Sequence, residues 1–252
     1  MTRPLALILV LATIAFAVAP FITPPFTGYE PGQFPVEITR HAIQPAGYAF
    51  AIWSVIYLWL ILHAGFGLWQ RQDDPAWSLV RPPLTVALVL GTVWLAIAGA
   101  SPVWATAVIL VMAAAAITAF LRAPTEPDRW LLSAPLAIFA GWITAASLVS
   151  TGILLTGYGY TENDEAAFDM LGAILILVPL IQSCKARMPV YSLTVVWALV
   201  GVAVANWGTE TLVAWVALGI TALVLAAAGW LWRRAGCGGG LCSGAKFLRR
   251  NL

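Results

Sequence analysis

The chain has 252 residues, of which 61% are hydrophobic and only 10% charged, with a formal net charge of +2. A soluble domain carries about 25% charged residues, so a water-soluble globule is excluded, and no basic run interleaved with aromatics points to nucleic acid. The three cysteines, Cys184, Cys237 and Cys242, form no cluster with histidine of the kind that holds a metal.

Apolar runs of roughly 20 residues recur along the chain, the length that crosses a bilayer core as a helix. They are continuous and rich in Ala and Leu, not alternating, so helices are predicted instead of barrel strands. The first run follows Arg3 and resembles a signal peptide up to Ala17-Val18-Ala19. Pro20 comes next and the apolar run continues to Ile22, so it is read as a retained first helix, about Pro4–Thr23. A Pro- and Gly-rich loop, Pro24 to Ala46, leads to a second helix at about Gly47–Gln70. The third is predicted at Leu84–Ala100 and the fourth at Pro102–Leu121, with Gly99, Ser101 and Pro102 making a very short link. The fifth covers about Trp130–Thr156. An acidic loop, Glu162-Asn163-Asp164-Glu165, precedes the sixth at Ala167–Ser183. The seventh is placed at Pro189–Asn206 and the eighth at Thr211–Trp232. The Gly- and Cys-rich, basic tail from Arg233 is expected to be poorly ordered. The expected fold is therefore an all-α integral membrane protein of about eight transmembrane helices.

Threading eight helices from a cytoplasmic N-terminus puts all of the 13 Lys and Arg residues except Arg40 on one side. Positive charge gathers on the cytoplasmic side of membrane proteins, so both termini are expected there, in a bacterial inner (cytoplasmic) membrane. Seven tryptophans, among them Trp69, Trp130 and Trp230, fall near helix ends, where an aromatic belt is expected. Trp53, Trp59, Trp94, Trp142, Trp197 and Trp215 lie deeper.

Two segments carry chemistry. The second helix opens Pro45-Ala46-Gly47-Tyr48-Ala49-Phe50-Ala51-Ile52-Trp53-Ser54-Val55-Ile56-Tyr57, and the fifth contains Pro135-Leu136-Ala137-Ile138-Phe139-Ala140-Gly141-Trp142-Ile143-Thr144-Ala145-Ala146. Trp53 and Tyr57 are four residues apart and share a helix face. Phe139, Trp142, Ala146 and Ser150 recur at three- and four-residue steps on one face. If the two faces meet, small Ala146 leaves room beside the Trp142 ring, and the result is a slot for a flat, mostly apolar ligand. The competing reading is that these aromatics simply pack helix on helix.

These motifs resemble the signature of the TspO/MBR (translocator protein, tryptophan-rich sensory protein) family, over about residues 1–156. The resemblance implies a TspO-like five-helix bundle at 1–156; the three additional transmembrane helices at 157–232 have no counterpart in that core, and a cytoplasmic basic, Gly/Cys-rich tail follows at 233–252. It implies a ligand class of porphyrins and related tetrapyrroles, or sterol- and isoquinoline-like molecules. It implies a ligand-binding set of Tyr48, Phe50, Trp53, Tyr57, Trp94, Phe139, Trp142, Ala146 and Ser150. The chain also departs from the family pattern. No Asn precedes Trp94, Ser150 stands where the family has Asn, and Leu136 replaces the Tyr of a Pro-Tyr pair. His63, one turn after Trp59, is a candidate axial ligand for haem or a chlorophyll-type pigment; the alternative is a hydrogen bond to a neighbouring helix.

No ionisable residue lies well inside a predicted span, which argues against a coupled transporter. An enzyme is not expected. If light-dependent porphyrin breakdown occurred, Trp53 and Trp142 would be its redox-active residues. The expected function is a ligand-binding sensor, regulator or carrier. The alternative is an accessory subunit of a larger, pigment-binding photosynthetic membrane complex. Membrane lipids, a homodimer or such a complex are the expected partners. An uncoupled transporter would use the polar stripe Thr144, Ser147 and Thr151 on the fifth helix.

Overall fold

The computed structural model describes residues 2–23, 29 and 32–236. Eight α-helices cross the described chain: α1 Thr2–Ile22, α2 Ile52–Trp69, α3 Pro75–Ala100, α4 Pro102–Arg122, α5 Ala134–Gly157, α6 Asn163–Cys184, α7 Val190–Asn206 and α8 Thr211–Gly236. A 3-10 turn, Gly47–Ala51, leads into α2, and a π-helical turn, Arg129–Ser133, leads into α5. Seven helices are long and apolar enough to cross a membrane, and α7, at 17 residues, sits at the short end of that range. The protein is an all-α integral membrane protein, with no strand among the described residues.

Among the helix boundaries that differ from the sequence expectation, α2 and α5 start four or five residues late because a 3-10 and a π-helical turn precede them, and three others differ as follows. Helix α3 begins at Pro75, nine residues before the predicted Leu84. Asp74 caps it, accepting from Ala76 N at 2.8 Å, and Pro75 supplies the preset φ of a first helical residue. The added turns bury Trp77 and Val80, so Pro82 and Pro83 sit inside the helix and do not start it. Helix α6 absorbs most of the predicted acidic loop. Asp164 and Glu165 form its first turn, where negative charge favours the helix dipole, and Glu165 accepts from Glu162 N. Helix α8 runs on to Gly236 and carries Arg233 and Arg234 in its last turn. The rest of the predicted tail, with the Cys237/Cys242 pair, lies outside the described residues.

Helix α5 is the axis of the molecule. From Leu132 to Ala145 every side chain is buried, the pattern of a helix surrounded by protein. Helices α2, α4, α6 and α7 all pack on it; α1 packs on α2 and α3, and α8 on α6 and α7. Within lipid, apolar faces gain nothing from leaving water, so close packing and hydrogen bonds hold the helices together. Gly141 lets α5 approach α7 so closely that an added Cβ would lie 2.6 Å from the Tyr191 carbonyl oxygen. Gly91 of α3 likewise leaves space that the Phe16 ring of α1 occupies. Leu11, Ile176 and Leu212 turn outward toward acyl chains.

The connections alternate between two ends. One end is basic, and there Asp128 accepts from Arg71 Nε at 2.8 Å and from the Trp77 indole at 2.9 Å, which ties the α2–α3 link to the approach to α5. The Arg71 guanidinium holds the Asp128 carboxyl below the usual carboxylate range. At the same end Lys185, between α6 and α7, donates to the Phe120 and Ala123 carbonyls at the close of α4, and burial lowers its ammonium to about 7. The other end carries Glu37, Glu162, Asp164, Glu165 and Glu210, with Arg40 in their midst.

Candidate functional site

A cavity of about 1290 Å³ opens in the acid-rich half of the protein. Helices α1 to α5 and part of α7 form its walls, and described residues of the α1–α2 loop, among them Tyr29, Phe34 and Arg40, line it as well. It is larger than the roughly 300–1,000 Å³ of most small-molecule pockets. Its inner wall is aromatic. The Trp53 and Tyr57 rings stack with centroids 5.3 Å apart, a consequence of their one-turn spacing on α2. Trp142 of α5 meets Trp53 edge to face at 6.1 Å and Phe50 at 5.7 Å. The faces of α2 and α5 therefore meet, and both carry rings into one space.

Seven of the nine residues singled out from the sequence line this cavity: Phe50, Trp53, Tyr57, Trp94, Trp142, Ala146 and Ser150. Trp94 is anchored by its indole, which donates to the Ala105 carbonyl of α4 at 2.9 Å. Two do not line it. Tyr48 turns out of the bundle, 44% exposed, with its ring edge-on to Trp197. Phe139 is fully buried behind the wall, against Phe16 at 5.7 Å. His63 stands apart from the cavity as well. Its Nδ1–H donates to the Leu131 carbonyl at 2.8 Å, its ring stacks on Trp77 at 4.8 Å, and no part of it is exposed. A pigment has no room to reach its Nε2, so His63 does not fit the role of axial ligand, and the hydrogen-bond alternative describes its position. Thr144, Ser147 and Thr151 each donate to a backbone carbonyl of their own helix and are not among the residues lining the cavity. No group of three His, Cys, Asp or Glu able to hold a metal occurs among the described residues.

A family model described as TSPO-like protein matches residues 3–230. The chain belongs to the TSPO-like protein family. The match runs beyond α5 through α6 and α7 and into α8. No curated protein and no solved structure matches the chain.

In this TSPO-like protein several lining groups carry no motif. Phe16, on α1 among mostly small and aliphatic residues, touches Trp53 at 5.8 Å and Tyr57 at 5.2 Å and joins the aromatic wall, whereas Phe21 of the same helix faces outward. Ile109 and Met112 of α4 and Ala198 of α7 add apolar surface. The hint in the sequence was an aromatic ring within an apolar run built mostly of Ala, Leu, Ile and Val.

The polar groups sit toward the mouth. Ser150 hydroxyl pairs with Thr106 Oγ1 at 2.8 Å and also shares a hydrogen bond with Tyr29. Burial pushes the Tyr29 phenol up and the His41 imidazole down from their ordinary values. His41 Nδ1 lies 2.9 Å from Thr156 Oγ1. The loop itself is tied down at both edges. Val36 N donates to the Gly157 carbonyl, Gln33 Nε2 to the Gly99 carbonyl, and Ala46 N to the Gly201 carbonyl, each at 3.0 Å. Asn206 Nδ2 donates to the Ala42 carbonyl at 2.7 Å. The arrangement can take up a large apolar body by dispersion and ring stacking, with polar contacts available only at one end.

Proposed function

We propose that this protein binds a flat, mostly apolar ligand of the tetrapyrrole class in the cavity between α2 and α5 and works as a sensor, regulator or carrier, not as an enzyme. The observation that supports it is the meeting of Trp53, Tyr57 and Trp142 around one space of about 1290 Å³. Rings at right angles give a planar guest both a face to stack on and an edge to abut. Ala146, a small lining residue, leaves room beside the rings. The family membership supports the ligand class, and the asymmetry of basic residues supports a bacterial inner membrane with the basic end in the cytoplasm.

The test is a titration of the detergent-purified protein with protoporphyrin IX, followed by tryptophan emission. Saturable quenching is expected, and replacing both Trp53 and Trp142 by Leu is expected to weaken binding at least tenfold. Quenching that never saturates, or that is the same in the double variant, would count against the proposal.

A further inference from the structure

The mouth of the cavity carries two charged side chains, Glu37 and Arg40, that an apolar ligand leaves unexplained. Arg40 lines its mouth. Its Nη2 donates to Asn206 Oδ1 at 2.9 Å and to Thr209 Oγ1 at 2.8 Å, so the α7 terminus and the α7–α8 turn fix one edge of the guanidinium. Asn206 is itself held, through Nδ2, on the Ala42 and Val202 carbonyls. The other nitrogen, Nη1, is shut off from solvent and finds no acceptor among the described residues. Both groups that hold Arg40 are neutral. Glu37 also lines the mouth but does not pair with it; the ion pairs among the described residues are Arg71–Asp128 and Arg129–Glu126. A buried donor without a partner is costly to keep. Arg40 is half-buried and, unlike His63, borders the cavity, and a guanidinium that is partly desolvated and fixed in place is a strong receiver for a carboxylate, because part of the ordering and desolvation of the donor precedes binding.

We propose that the mouth of the cavity is an anion-recognition subsite, in which Arg40 takes a carboxylate borne on the rim of the ligand. The protein then selects amphiphilic acids over neutral molecules of the same shape. The apolar body lies among the rings of α2 and α5 and the acid group points to the α1–α2 loop. This inference rests on the cavity being the binding site for a flat apolar ligand, and it adds the chemical class of that ligand's polar end.

Protoporphyrin IX and its dimethyl ester differ only in whether two carboxyl groups are free, so they make the test. Each is titrated into the full chain in neutral detergent, in the native form and in Arg40→Gln and Arg40→Lys variants. A charge-assisted hydrogen bond to a fixed donor corresponds to about a 10- to 100-fold difference in Kd. The native protein is expected to prefer the acid by that factor. Arg40→Gln should bring the acid to the level of the ester and leave the affinity for the ester, which reports an intact cavity, unchanged. Arg40→Lys should recover part of the preference. Equal affinity of the native protein for acid and ester overturns the subsite, as does an acid preference that survives Arg40→Gln. An equal loss of both ligands in Arg40→Gln makes Arg40 a strut for the loop and also overturns it. If neither compound binds the native protein, the cavity reading falls and this inference with it.

Discussion

The close approach of α5 and α7 at Gly141 gives a prediction whose size follows from geometry. In Gly141→Ala the new Cβ would start 2.6 Å from the Tyr191 carbonyl oxygen and 2.9 Å from Thr194 Cβ. Backbone cannot rotate away as a side-chain tip can. Restoring the 3.4 Å of ordinary contact to that oxygen needs a separation of about 0.8 Å between the two helices. Overpacking of this kind costs about 1–3 kcal/mol, against which the helix preference of Ala over Gly returns up to about 1 kcal/mol. The net is a loss of up to about 2 kcal/mol, a fall in Tm of up to roughly 8 °C for a chain of this size. Gly172→Ala on α6 is the matched control, because a Cβ there meets nothing within 4 Å. Thermal unfolding in detergent, followed by tryptophan emission, should therefore separate the two: Gly141→Ala less stable than the native chain, Gly172→Ala equal to it or slightly more stable. Two variants with the same Tm would refute the proposed contact between α5 and α7.

Other expectations follow from the same contacts. Phe16→Ala removes the ring that touches Trp53, Tyr57 and Phe139, and should destabilise by about 3–5 kcal/mol, read as a lower midpoint in chemical unfolding. Asp128→Asn breaks the ion pair to Arg71 and weakens the tie to Trp77. Because the folded carboxyl is held below its ordinary value of 3.8, its stabilising effect is full well above that value and is lost as pH falls through the lowered pKa. The native chain should therefore lose stability more steeply than the Asn variant on acidification, in parallel Tm series; identical slopes would contradict the assignment. Cys184 is exposed at the basic end of α6. With Cys237 and Cys242 changed to Ser, a membrane-impermeant maleimide added to intact cells should label it only after permeabilisation, and labelling before that step would invert the proposed orientation.

The helices were legible because a bilayer imposes a length and leaves long apolar runs no other stable form. The wall formed by Trp53, Tyr57 and Trp142 was legible because helical spacing alone puts such residues on common faces. What was hidden depends on partners far along the chain. Arg40 meets Asn206 across 166 positions, and nothing local in the sequence ties them. Phe16 enters the wall because Gly91 yields to it, a fact of helix pairing and not of either helix alone. Tyr48 and Phe139 belong to the two motifs but do not line the cavity, since motif membership does not fix a side chain's direction. The early start of α3 was masked by Pro82-Pro83, which look like a helix start, while Asp74-Pro75 performs that role. His63 follows Trp59 by one turn as expected, yet the approach of the π-helical turn before α5 and of Trp77 closes the space around it.

The central claim is that a planar guest lies against the rings of α2 and α5 beside the α1–α2 loop. An experimental structure of the protein with protoporphyrin IX bound tests it most directly. The account predicts density for the macrocycle in contact with Trp53 and Trp142, with Tyr48 and His63 untouched. A macrocycle seated on the outer, lipid-facing surface of the helices, with the cavity unchanged, would contradict it.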